Sequence, residues 1–131
     1  MPVEGVVDAL RRIHAALATE GVLIDTQPVS RRPAVDTSAG PVGSLDMRDW
    51  GRIIDRVDER VAVTIDDGLW TDEGEHRYVV TDTFRDGAEL IDTVKDWQGT
   101  RISETLRRRL RAGEGQAYVH QEVRLRILRA V

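Results

Sequence analysis

The sequence predicts an α/β fold of the α+β kind, with helices packed on a mixed sheet of three to five strands. Three patterns carry that expectation. Apolar residues recur at helical spacing in several segments, and shorter apolar or alternating segments lie between them. In the last stretch Ala117, Val119, Val123, Leu125 and Ile127 alternate with Tyr118, His120, Glu122, Arg124 and Arg126. Turn residues separate the segments in the order helix, strand, loop or hairpin, helix, strand, two helices, strand. With 131 residues the chain is expected to form one domain, 1–131, large enough for a core without disulfide or metal staples.

The first segment, Glu4 to Thr19, sets Val6, Val7, Leu10, Ile13 and Leu17 on one stripe after Val3, which predicts an amphipathic helix. Glu20-Gly21 stops it, with Gly21 suited to the left-handed position that ends helices. Val22 to Val29 (VLIDTQPV) then reads as a strand. Its run Val22-Leu23-Ile24 suggests cover on both faces, and Pro28 marks its end or an edge. Ser30 to Asp46 is rich in turn residues; either Ala34-Val35 pairs with Val42 as a hairpin or the segment is a mobile loop.

Asp46 is placed to cap a helix running to Asp67, along which Trp50, Ile53, Ile54, Val57, Val61 and Ile65 hold one stripe. Val61 to Ile65 is β-branched enough to be a strand, and the sustained stripe favours helix. After a turn at Thr71 to Glu75, His76 to Arg85 alternates as a strand. Asp86 with Glu89 forms a capping-box pattern for the helix carrying Leu90, Ile91, Val94 and Trp97. Ser103 opens another with Leu106 and Leu110, closed by Ala112-Gly113.

Composition narrows the function classes. At 40% hydrophobic and 32% charged residues, the chain is globular in character, and no apolar run is long enough to span a bilayer. The start MPVEGVVDALRR lacks the apolar core of a signal peptide, so a cytoplasmic location is the expectation. The absence of cysteine removes disulfides, thiolate chemistry and cysteine-ligated zinc. A net charge of −4 gives no general reason to bind nucleic acid. The run Arg107-Arg108-Arg109 with Arg111 reads as a solvated helix face, because consecutive helical residues point in different directions.

The stretch LRRIHAALATEGVLIDTQPV, followed by this order of elements, resembles the C-terminal half of a class I S-adenosylmethionine-dependent methyltransferase. The resemblance covers nearly the whole chain. It implies that Val22 to Val29 corresponds to that family's fifth strand, His76 to Arg85 to its sixth, and VHQEVRLRILRA to its antiparallel seventh. The family builds its cofactor site in the other half, on an acidic Gly-rich turn after its first strand. Here the glycine-rich stretches, Ser38 to Ser44 and Gly113-Glu114-Gly115, do not lie between a strand and a helix in that way. The resemblance therefore implies a non-catalytic half-domain with no cofactor.

A sheet cut in this way leaves one edge of Val22 to Gln27 open, and an open apolar edge is a pairing surface. The expectation is a homodimer, or a protein partner completing the sheet edge, with Leu23, Ile24, Ile13 and Leu17 at the interface. A covering loop from Ser30 to Asp46 is the monomeric alternative. The competing reading is a small-molecule-binding α+β domain or small enzyme. Its pocket would use Asp25, Gln27 and Arg31 near the end of the first strand, with Trp50 and Trp70 as walls, although both tryptophans suit packing roles. Asp25, a carboxylate within an apolar strand, needs a cation, and Arg31 or Arg32 is near in sequence.

No catalytic residue is assigned. His14, His76 and His120 lack a ligand at helical metal spacing, and His120 with Glu122 reads as one polar strand face, so no metal is expected. The acidic pairs Asp66-Asp67, Asp72-Glu73 and Asp46 with Asp49 lie beside turn residues where water reaches them.

Overall fold

The computed structural model describes residues 3–131. A 3-10 turn, Val3–Gly5, leads into α1 (Val6–Ala16), followed by β1 (Val22–Pro28), β2 (Ala34–Thr37) and β3 (Gly40–Ser44). Then come α2 (Arg48–Asp66), β4 (Trp70–Phe84), α3 (Gly87–Val94), α4 (Glu104–Ala112) and β5 (Ala117–Ala130). The fold is α+β, with five strands in an open antiparallel sheet. Strand order is β1-β5-β2-β3, and β4 also pairs with β5.

The described residues divide into two compact units. One holds residues 3–27, Arg52–Arg77 and Arg124–Val131; the other holds Pro28–Gly51 and Tyr78–Val123. In the first, Leu10, Val61, Trp70, Leu128 and Ala130 form a buried cluster, with Leu17, Leu23 and Val57 packed against it. In the second the cluster is larger: Val35, Leu45, Met47, Phe84, Leu90, Val94, Leu106, Leu110, Ala117 and Val119.

Local signals explain the second unit well. The Asp86 carboxylate accepts from the Glu89 amide at 2.8 Å, and the Glu89 carboxylate accepts from the Arg85 amide at 2.8 Å. The Ser103 hydroxyl accepts from the Leu106 amide at 3.1 Å, and Gly113 follows the end of α4. The glycine-rich segment is a hairpin. Ala34 faces Ser44 and Thr37 faces Gly40, with a register shift between Val35 and Asp36. Its outer partner is β5, Ala34 opposite His120 and Thr37 opposite Ala117.

Several sequence expectations are corrected. The first helix ends at Ala16, because Leu17 is already extended. Glu20, at φ 65°, takes the left-handed position assigned to Gly21. Gly21 is required for a different reason: a Cβ there would sit 2.8 Å from the Ala18 carbonyl oxygen.

β1 is not covered on both faces. It is bonded to β5 alone and stands at a sheet margin, so Val22, Ile24 and Thr26 are exposed while Leu23, Asp25 and Gln27 are half-buried. Val61 to Ile65 is helical, with the buried Thr64 hydroxyl donating to the Val61 carbonyl at 2.7 Å. Thr71 to Glu75, expected as a turn, is part of β4. Pairing with β5 outweighs the weak strand propensity of Asp72, Glu73 and Gly74, and Arg129 holds Glu73 at 2.8 Å. Finally, β5 does not keep one alternation. Ala117, Val119, Gln121 and Val123 are buried, and so are Arg124, Leu128 and Ala130, so the phase changes between Val123 and Arg124.

Candidate functional site

The strongest surface feature of the first unit is β1. The Ala130 amide donates to the Gly21 carbonyl at 2.8 Å. Residues joined this way in an antiparallel ladder lie opposite each other. Continuing that ladder sets Ile24 opposite Ile127 and Thr26 opposite Leu125. Ile24 is 58% exposed and Val22 39%, and as alternate residues of one strand they share its solvent-facing side. Of the other expected interface residues, Ile13 lies at the surface of α1, whereas Leu17 and Leu23 are half-buried against the core cluster.

Beside β1 lies a group of charges. Arg124, almost fully buried, grips Asp58 with both arms of its guanidinium, at 2.9 and 2.8 Å. Arg126 adds a third contact to Asp58 at 3.2 Å. The Asp58 hydrogen bonds raise the Arg124 pKa above its ordinary value. Asp25 belongs to this group: Gln27 donates to its Oδ1 at 3.1 Å, and its buried Oδ2 lies 4.0 Å from Arg124 Nη2. Asp25 thus meets Gln27 and Arg124, the latter far away in sequence. Trp70, only 2% exposed, is a core residue whose ring meets His14 edge-on at 5.3 Å.

The two remaining expected ligand residues belong to the second unit. Trp50 lines a cleft of about 430 Å³ with Met47, Trp97 and Gln121, and its indole donates to the Pro28 carbonyl at 3.0 Å. Arg31 is exposed; its guanidinium occupies the space that a Cβ on Gly51 would need.

The second unit also contains a chain of hydrogen bonds across three strands. Thr81 Oγ1 is 2.8 Å from His120 Nδ1, and His120 Nε2 is 2.9 Å from Asp36 Oδ2. A carboxylate only accepts, so in the neutral imidazole Nε2 carries the proton and Nδ1 accepts from the Thr81 hydroxyl. Hydroxyl, imidazole and carboxylate are thus in the order of a nucleophile, base and orienting group. His120 and Asp36 are about one-third exposed and Thr81 is exposed, and neither described cleft is lined by any of them. The arrangement ties β4, β5 and β2 together. The sequence pattern groups His120 with Glu122, whereas Asp36 is 84 residues away and no local signal announces it.

A second cleft in this unit, about 490 Å³, lies along β3 and the start of α4. Arg32, Arg101 and Arg109 line it. Its acidic member, Asp46, is occupied by Arg48, whose Nε and Nη2 donate at 3.0 and 2.8 Å and whose backbone amide donates at 3.1 Å. The side-chain bond above all holds the Asp46 carboxyl well below the usual carboxylate range. No sequence motif pointed to this cleft, because its arginines come from three separate segments.

Among the described residues, no helix is long and apolar enough to cross a membrane, and no cluster of three or more His, Asp or Glu is arranged to hold a metal ion. Neither protein-family models nor curated proteins give a match to this sequence.

Proposed function

We propose that this protein is a non-catalytic, methyltransferase-like half-domain that acts as a dimerisation module, pairing with a second copy of itself along β1. The observation that carries the reading is Ile24, exposed on a strand with one bonded neighbour and facing Ile127 across the ladder. An edge of this kind is a template for another strand.

The sequence of β1 favours its own copy as the partner. A two-fold axis at Ile24 sets Ile24 against Ile24, Val22 against Thr26 and Leu23 against Asp25. No like charges oppose, and the ladder ends before Pro28, which has no amide to donate. An axis at Asp25 would oppose two carboxylates. The Ile24 register extends the Ile127–Ile24 pair into a row of four isoleucines across the joined edges, and such a row removes exposed apolar area from water.

Sedimentation velocity across a wide concentration range tests this reading. The expected result is a reversible dimer that Ile24→Lys converts to a monomer with unchanged circular dichroism. A wild-type protein that stays monomeric throughout overturns it, and so does an Ile24→Lys variant that dimerises as before.

A further inference from the structure

We propose that the cleft along β3 and the start of α4 binds a small organic phosphate monoester. Three arginines, Arg32, Arg101 and Arg109, line it together with the hydroxyl-bearing residues Ser44, Ser103 and Thr105. Guanidinium forks match the oxygens of a phosphate two at a time, and hydroxyls complete the remaining acceptor positions.

The state of each arginine matters. Arg109 is fixed at the cleft by one arm, Nη1 donating to the Val42 carbonyl at 3.0 Å. Arg101 contacts Asp49 through Nη2 at 3.0 Å, yet its side chain remains 76% exposed. Arg32 is exposed and carries no ion pair among the described residues. Arg48 takes the side-chain hydrogen bonds of the Asp46 carboxylate, and Arg32 acts on that carboxylate only through its charge, with no hydrogen bond to hold it there.

Charge and size select the ligand class. A phosphate monoester carries about −1.5 to −2 at neutral pH, which suits three cations better than the single charge of a carboxylate. The volume of about 490 Å³ exceeds the needs of a bare ion and lies in the range occupied by small organic ligands. Val42, Ile102 and Leu106 offer an apolar wall for the carbon body. At Gly43 the backbone lines the cleft directly, at a φ of 150°.

The experiment is an NMR titration of the full chain with phenyl phosphate, benzoate and inorganic phosphate. Phenyl phosphate is expected to shift the amides of Ser44, Ser103, Thr105 and Leu106 and to bind more tightly than either other compound. Arg32→Gln and Arg109→Gln should each weaken it by about tenfold, the loss of one charge-assisted contact. Arg12→Gln, in the other unit, should leave it unchanged. The proposal is overturned by an absence of shifts at those amides, by equal binding of benzoate, or by undiminished affinity in both cleft variants. The oligomeric state of the protein has no bearing on this result.

Discussion

Arg124 and Asp58 meet through two parallel hydrogen bonds, at 2.9 and 2.8 Å, joining β5 to α2 in the first unit. Arg124 keeps 8% of its side chain exposed and Asp58 28%. Removing one member of such a pair strands the other charge, a cost of about 3 kcal/mol when the survivor is buried. Asp58→Ala is therefore expected to lower unfolding stability by about that amount. Asp58→Leu with Arg124→Met should recover most of it. Urea denaturation of the single and double variants checks this; a neutral Asp58→Ala would contradict it.

Gly87 opens α3 against the backbone of Leu110 in α4, leaving no space for a Cβ. Gly87→Ala must push the two helices apart even though alanine is the better helix former. Overpacking of this kind costs about 2 kcal/mol. A variant as stable as the wild type in a chemical melt would show that the helices yield freely.

Asp46 provides the pH dependence. Its folded-state pKa lies below the unfolded value, so its contacts with Arg48 stabilise the fold above the usual carboxylate range. That contribution is lost as the pH falls and Asp46 takes up its proton. Asp46→Asn is expected to flatten part of the acid limb of a stability–pH curve. Carbon-detected NMR should show the Asp46 carboxyl still ionised when ordinary exposed aspartates are protonated, and Arg48→Gln should move its titration upward.

His120 is expected to hold its neutral proton on Nε2, because Asp36 accepts there and the Thr81 hydroxyl donates to Nδ1. Long-range proton–nitrogen correlation spectra read the tautomer directly. Asp36→Ala should produce a mixture of the two forms, and a mixture already present in the wild type would mean that this hydrogen-bond chain does not persist in solution.

What could be read from the sequence was what short segments decide. The caps at Asp86 and Ser103, the buried Leu106 and Leu110, and the helical Val61 to Ile65 all follow from residues within a turn or two. The extension of β4 to Trp70 did not follow, because Asp72, Glu73 and Gly74 favour a turn until β5 supplies hydrogen bonds and Arg129 a counter-charge. Nor did the partner of Asp25, since sequence proximity pointed to Arg31 or Arg32 and the fold brings Arg124. The phase change at Val123–Arg124 was hidden for a related reason. A strand's own pattern cannot tell which of two clusters each half will join.

β1 and β4 have one bonded neighbour each, and for both it is β5. Glu20 and Arg129, which meet at 3.1 Å, are 109 residues apart. Loop closure over such a distance makes this sheet slow to assemble. As the chain emerges during synthesis, β1 and β4 must wait unbonded until β5 is made. In that interval the apolar residues Val22 to Ile24 and Tyr78 to Val80 are open to misassociation, so chaperone dependence and inclusion-body formation are expected to rise with synthesis rate.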